Sequence, residues 1–188
     1  PDVRVGLAQV LIRCQLPLAG VTGIMAVIGE AESELRAALA AEAGHWNARF
    51  TLAVLLRNMP AMLGRGEDAV REFERLLAVQ GRRAEGPHHA LPYIHLGDAH
   101  EAAGRRSSAV AVWRRGLALF PAYPELVRRL EAAGVEAVAD SSWLTQPDTA
   151  AAVRELPPVI AFAPLRAEAA NHQLQETRPG TTLRRLDV

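Results

Sequence analysis

Residues 93–121 read YIHLGDAHEAAGRRSSAVAVWRRGLALFP, and this stretch decides the fold that we predict. Apolar and small residues recur in it at three- and four-residue steps, which is typical of helices that bury one face. Gly104 divides the stretch and Pro121 closes it, and both residue types end helices readily. The stretch therefore predicts two helices joined by a turn at Gly104.

The small, aromatic and turn residues of this stretch follow the spacing of a tetratricopeptide repeat, a helix-turn-helix unit of about 34 residues. His100 stands where that family usually has Tyr, and Gly116 where it usually has Ala. The stretch resembles the family, which implies an all-α, right-handed solenoid of antiparallel helix pairs that holds another polypeptide. The matching positions are Tyr93, Leu96, Gly97, His100, Gly104, Ala109, Trp113, Gly116, Leu117 and Pro121.

A second half-unit, GRGEDAVREFERL at residues 64–76, precedes residues 104–116 by 40 positions. In both, a small residue lets two helices approach closely, and an aromatic residue four positions later fills the space between helices. The spacing of 40 residues exceeds the usual period of about 34 residues, and a polar loop at residues 81–91 accounts for the difference. The matched pairs are Gly64 with Gly104, Ala69 with Ala109, Val70 with Val110, and Phe73 with Trp113.

The rest of the N-terminal part is also predicted to be helical, giving about three repeats. We predict helices at residues 3–15 and 24–43, separated by a turn at Pro17, Gly20 and Gly23, because proline and glycine interrupt helices. A further helix begins near Trp46 and ends before Pro60. The first helix is predicted to bury one apolar stripe, made of Val3, Leu7, Val10, Leu11 and Cys14.

Residues 123–133 predict one more amphipathic helix, with Leu126, Val127 and Leu130 on one side and charged residues on the other. A solenoid needs such a cap with a polar outer face at its end. Residues 1–138 therefore form the predicted helical repeat domain. Residues 139–188 form a C-terminal arm that contains prolines and short apolar clusters and cannot build a core of its own. Such a composition is typical of a disordered extension; the alternative is an extended arm that lays its clusters into a groove, either its own or a neighbour's.

Composition excludes several classes of partner. The chain has 188 residues, 49% of them hydrophobic, and its 21 basic residues balance its 21 acidic ones, so no field favours nucleic acid. The apolar run at residues 16–29 is too short to cross a bilayer, which predicts no membrane insertion. The chain begins with Pro1, which indicates processing; we expect a soluble protein, either cytoplasmic or exported after removal of a signal peptide.

No residue set predicts catalysis, a metal site or a cofactor. His88, His89, His95 and His100 lie near each other in sequence, but His95 and His100 are five residues apart and diverge around a helix. We predict that His100 fills the family's Tyr position and that His88 and His89 are loop residues. Cys14 is predicted to be a small buried hydrophobe on its helix.

The resemblance implies a concave groove lined by the first helix of each repeat. Ile94 and Asp98 replace the cation and the amide that carboxylate-binding family members use, so an apolar peptide or a packed helix is the expected ligand. The implied groove residues are Leu91, Ile94, His95, Asp98 and Glu101, together with Ala48, Thr51, Leu52, Leu55 and Asn58.

The predicted function is thus a non-enzymatic scaffold for protein interactions. The alternative is a self-assembling subunit, an oligomer or a filament, in which the C-terminal arm docks on a neighbouring copy. The arm segment LPPVIAFAPL at residues 156–165 is extended by its prolines, so ordering it in a groove costs little. The docking residues that we predict in the arm are Trp143, Val159, Ile160, Phe162 and Leu165.

Overall fold

The computed structural model describes residues 1–121 and 123–145. Within those ranges it contains seven α-helices and no strand, so the predicted all-α class is confirmed there. The helices are α1 (Asp2–Val10), α2 (Val21–Ala41), α3 (Trp46–Arg57), α4 (Gly66–Gln80), α5 (Leu91–Ala102), α6 (Arg106–Leu119) and α7 (Pro124–Ala132).

Short helical segments of other kinds join these helices. α1 continues into a π-helix, Leu11–Gln15, and then a 3-10 helix, Leu16–Leu18. Pro17 fits the start of that 3-10 turn because its missing N–H would have no partner there. The turn that we predicted to extend to Gly23 is shorter, since α2 already begins at Val21. Further 3-10 helices are Ala61–Leu63, Pro87–Ala90 and Ser142–Thr145.

Each helix packs mainly against the next one along the chain, and α3 also contacts α1 and α5. The buried side chains form two apolar clusters, one built on α1 and α2 and the other on α4 to α7. α3 contributes to both: Leu52 and Leu56 belong to the first cluster, and Trp46 and Ala53 to the second. α4 adds Ala69 to the first cluster, so α3 and α4 together join the two halves of the core.

The predicted pairing of small and aromatic residues is confirmed. Ala69 and Ala109 are 1% and 0% exposed, and both Phe73 and Trp113 are completely buried. The Trp113 indole lies directly on the backbone of α5 at Gly97, where a Cβ atom would overlap the ring. α5 and α6 can pack this closely only because residue 97 has no side chain.

The turn after α5 has the geometry that we predicted from Gly104. Its φ of +72° is left-handed, which glycine adopts without the penalty of a Cβ. The Arg105 N–H donates to the His100 carbonyl at 2.9 Å and the Gly104 N–H to the Glu101 carbonyl at 2.8 Å. These are the two bonds of a Schellman motif, so the last carbonyl groups of α5 are satisfied.

Gly64 occupies a different place from the one predicted. It has a left-handed φ of +64°, but it closes the 3-10 turn Ala61–Leu63 and does not follow an α-helix directly. Pro60 disfavours helical backbone at Met59, so α3 ends at Arg57 and a separate turn leads to Gly64.

The apolar stripe predicted for the first helix is wrong in its orientation. α1 buries Val5 and Ala8, and Leu11 follows them, whereas Val3 is 87% exposed and Val10 51% exposed. Cys14 is also exposed, contrary to the prediction of a buried thiol. Two apolar stripes satisfy the helical period on this segment, and packing against α2 and α3 selects the one that contains Val5.

α7 has the amphipathic character predicted for it. Leu126 and Leu130 are fully buried, while Arg128 and Glu131 are exposed on its outer side. The predicted loop after α4 begins at Gly81, with a φ of +59°, and then forms the 3-10 helix Pro87–Ala90. None of the helices in residues 1–121 and 123–145 has the length and apolar character to span a bilayer.

Replacing Gly97 with Ala should destabilise the protein by about 1–3 kcal/mol, because the new methyl group collides with a fully buried indole. Trp113→Ala should cost more, about 3–5 kcal/mol, because it empties the same site. Denaturant unfolding followed by circular dichroism measures both changes.

Gly29→Ala is the matched control, since a Cβ at this helical glycine meets nothing within 4 Å. We expect it to be neutral or stabilising by up to about 1 kcal/mol, because alanine favours the helix. Equal destabilisation by Gly97→Ala and Gly29→Ala would contradict the packing of Trp113 on Gly97.

Candidate binding face

Polar side chains from α3, α5 and α7 meet on one face of the helical array. Arg57 is the last residue of α3, His95 and Asp98 lie about one turn apart on α5, and Arg129 and Glu125 lie one turn apart on α7. These five residues form what we call the polar cluster. The cluster connects three helices that are not consecutive in sequence.

Asp98 is the centre of the polar cluster. Arg129 donates to it twice, from Nε to Oδ1 at 2.5 Å and from Nη2 to Oδ2 at 2.9 Å. Arg57 Nη2 donates to Oδ2 at 3.3 Å from the other side. Arg129 also donates from Nη1 to Glu125 Oε2 at 2.9 Å. The hydrogen bond to Asp98 raises the pKa of the Arg129 guanidinium above its usual value.

His95 forms the inner wall of the polar cluster. Its ring stacks on Phe73, with centroids 5.8 Å apart, and lies 5.7 Å from the Phe50 ring. Its Nδ1 contacts Nη1 of Arg57, and because a guanidinium only donates, Nδ1 is the acceptor and Nε2 carries the proton. Burial and, next, the charge of Arg57 lower the His95 pKa to about 4, so the ring is neutral near pH 7.

The outer part of the polar cluster faces solvent. The side chains of Arg57 and Arg129 are each 29% exposed, and that of Asp98 is 16% exposed. A guanidinium has five N–H donors, so the bonds of Arg57 to His95 and Asp98 leave donors for another acceptor. The face therefore has the chemistry to bind a polar group of a ligand.

The implied groove residues do not share one surface. Ala48 and Leu52 are completely buried, and Leu55 and Ile94 are 6% and 3% exposed. These four side chains pack between helices, so we correct their assignment as ligand contacts. Asn58 and Glu101 are exposed, and Leu91, Thr51, His95 and Asp98 are half-buried.

Arg57 was not among the implied groove residues, although it contributes to the polar cluster. The side of α3 that faces α5 carries Trp46, Phe50 and Arg57. Of the residues that we expected there, Ala48, Leu52 and Leu55 pack toward α1 and α2. The position of Arg57 in the last helical turn before Pro60 is visible in the sequence. Its partners on α5 are not visible, because they depend on how α3 is rotated.

The predicted docking arm lies mostly outside the described residues. This applies to Val159, Ile160, Phe162 and Leu165. Trp143 lies in the 3-10 helix Ser142–Thr145, but its side chain is also outside the description. Docking of the arm on a groove or on a neighbouring copy therefore stays a prediction.

His88 and His89 are packed, contrary to the prediction that they are loop residues. They belong to the 3-10 helix Pro87–Ala90, their rings lie 4.1 Å apart, and both meet the Trp46 ring edge to face. Trp46 Nε1 donates to Gln80 Oε1 at 3.0 Å, and Gln80 Nε2 donates to the His89 carbonyl at 2.9 Å. Burial and the neighbouring His88 lower the pKa of His89 to about 4.

His100 lies in α5 with its ring half-buried. Its Nδ1 accepts a hydrogen bond from Arg105 Nε at 3.1 Å. In the part of the chain that the structure describes, no group of three or more His, Cys, Asp or Glu side chains could hold a metal ion. In that part, His45, His95 and His100 have hydrogen-bond partners instead, while Nε2 of His88 and Nδ1 of His89 are buried without one.

Compared with models of known protein families and with curated protein sequences, the chain matches none. The tetratricopeptide resemblance therefore depends on the residues of this chain alone.

Stability should decrease as the pH falls from about 6.5 to about 4. The His95 pKa is about 4 in the folded protein, against 6.5 for an ordinary histidine, so between these values the unfolded chain binds more protons. The stabilisation is complete above pH 6.5, and His95 should account for a loss of about 1–2 kcal/mol by pH 5. Urea unfolding at a series of pH values measures the loss.

His95→Phe keeps the ring and removes the titration, so its stability should change less over the same pH range. His89, whose pKa is also about 4, should contribute a similar loss of stability at low pH, and this loss should remain in the His95→Phe variant. Identical pH dependence in the wild type and in His95→Phe would contradict the buried, neutral imidazole.

Asp98→Asn should destabilise the protein by about 1–3 kcal/mol, because it weakens charge-assisted bonds to Arg129 and Arg57. Glu101→Gln, one turn further on the exposed side of α5, is the control and should change stability by less than about 0.5 kcal/mol. Equal effects of the two substitutions in thermal unfolding would show that Asp98 does not join the three helices.

Proposed function

We propose that the chain is a tetratricopeptide-like solenoid that acts as a non-enzymatic scaffold for protein interactions. The observation that carries this proposal is the polar cluster, in which arginines from α3 and α7 meet on Asp98 of α5 and remain partly exposed. This face spans three helices, and an elongated polypeptide bound to a helical repeat protein contacts several helices at once.

Two similar ion pairs link alternate helices and support the repeat arrangement. Arg65 follows the left-handed Gly64 and donates from Nη2 to Glu32 of α2 at 2.8 Å. Arg105 follows the left-handed Gly104 and donates from Nη1 to Glu67 of α4 at 2.5 Å. In each case the arginine before one helix reaches an acid on the helix two elements earlier. The two arginines stand at matched positions, whereas Glu32 lies in the middle of α2 and Glu67 in the first turn of α4, so the likeness is one of helix order.

The placement of the implied groove residues changes the expected ligand. The apolar members other than Leu91 are buried, and Asn58, Asp98 and Glu101 are accessible polar members. The two arginines of the polar cluster lie beside them. A segment that is only apolar would leave Arg57 and Arg129 without water and without new partners, which is costly. We propose that the ligand is a peptide in which one polar or acidic side chain binds Arg57 and Arg129 and one apolar side chain packs on the half-buried Leu91.

The chemistry of the polar cluster also favours a non-enzymatic role. A general base needs a free lone pair and a pKa near the working pH. The Nδ1 lone pair of His95 is engaged by Arg57, and the pKa of His95 is about 4. Asp98 is shared between two guanidiniums, which holds it in place as a structural anion.

Selection from a random peptide library displayed on phage tests the proposal. Peptides selected on the purified wild type should bind Arg57→Gln at least about tenfold more weakly, because a charge-assisted bond of roughly 1.5–3 kcal/mol is lost. Their affinity should also fall with added salt.

Arg71→Gln is the matched control, because Arg71 is an arginine on α4 that is 57% exposed and donates to Asp68. It should bind the selected peptides like the wild type. A library that yields no peptide, or peptides that bind Arg57→Gln and the wild type equally, would contradict this function for the face.

A further inference from the structure

A pair of hydrogen bonds ties the connection between α4 and α5 to α3. We call this connection, residues 81–90, the insert; it ends in the 3-10 helix Pro87–Ala90. Trp46 of α3 donates from Nε1 to Gln80 Oε1 at 3.0 Å, and Gln80 donates from Nε2 to the His89 carbonyl at 2.9 Å. Gln80, the last residue of α4, thus links the backbone of the insert to α3.

Two imidazole rings of the insert pack beside these bonds. His89 is only 2% exposed, its ring lies 4.1 Å from that of His88, and both rings meet Trp46 edge to face. Within the described residues, Nδ1 of His89 and Nε2 of His88 are buried and have no hydrogen-bond partner. An imidazolium carries N–H on both nitrogens, so protonating either ring would bury a charged donor that has no acceptor.

The surroundings of His89 do not compensate a positive charge on its ring. Burial is the largest cause that lowers its pKa to about 4, and the charges of His88 and Arg83 lower it further. Glu85 acts in the opposite direction, but it is exposed, so water screens its charge. The neighbouring helices place uncharged groups near His89: Trp46 from α3, Gln80 from α4, and residues 91–94 of α5.

We infer that the insert is an acid-released latch, which opens when its histidines take up protons while the helices stay packed. Opening breaks the bond between Gln80 and the His89 carbonyl, uncovers the Trp46 ring and brings both imidazoles into water, which solvates their charge. In the described part of the chain, the two apolar clusters that hold the helices contain no residue of the insert. Opening the insert therefore costs less than unfolding the helices, and acidity decides how α4 and α5 are connected.

Hydrogen exchange of the tryptophan indole N–H groups, followed by NMR on residues 1–188, tests the latch. The Trp46 N–H bonds to Gln80 and reports on the insert, whereas the Trp113 N–H bonds to the Ile94 carbonyl between α5 and α6 and reports on the helices. Trp46 should be less protected than Trp113 at every pH. Its opening constant should rise up to about tenfold for each pH unit below 6.5, the ordinary histidine pKa, because the open insert binds one more proton at His89.

Three variants separate the histidines of the insert from the rest of the chain. His89→Phe keeps a ring beside Trp46 but takes up no proton, so the opening constant should lose most of its pH dependence. His88→Gln, at a half-buried position, removes the neighbouring charge, so opening should require a lower pH. His100→Gln is the control: His100 lies in the last turn of α5, bonded to Arg105, and its replacement should leave the Trp46 profile unchanged.

Two results would overturn the inference. Equal protection of Trp46 and Trp113 at every pH would show that the insert opens only when the helices unfold. A Trp46 profile with the same pH dependence in the wild type, His89→Phe and His88→Gln would show that these histidines do not release the insert. Circular dichroism checks that each variant is folded, and His88→Gln decides the second point alone if His89→Phe does not fold.

Discussion

The contact between the Trp113 indole and the bare backbone at Gly97 is the constraint on which the C-terminal half of the structure depends. It brings α6 against α5 more closely than any side chain at residue 97 would allow. Asp98 follows Gly97 directly, and His95 lies two residues before it. The contact that sets the distance between two helices thus also fixes the part of α5 that presents the polar cluster.

Ion pairs also set the relative rotation of helices, which the apolar core alone does not fix. Asp98 receives arginines from α3 and α7, and Glu32 on α2 receives Arg65 from the turn before α4. Partly exposed pairs of this kind contribute little to stability individually. Their directional bonds nevertheless select one relative rotation of the helices, since a guanidinium binds a carboxylate in a fixed plane.

The two ends of the described array differ in chemistry. α7 covers the core with Leu126 and Leu130 and turns charged residues outward, whereas α1 covers the core with Val5 and Ala8 and still exposes Val3 and Val10. α1 is thus apolar on two sides, one of which packs on α2 and α3.

The sequence by itself determined the all-α class, the approximate extents of most helices, the left-handed turn at Gly104 and the close packing of Trp113. These features depend on local periodicity, on proline and glycine geometry, and on steric size, which a single segment carries. Only the tertiary structure decided which stripe of α1 is buried and that Arg57 of α3 meets Asp98 of α5. Both features depend on the rotation of a helix about its own axis. On α1, two apolar stripes fit the same helical period, so only packing against the neighbouring helices decides which stripe is buried.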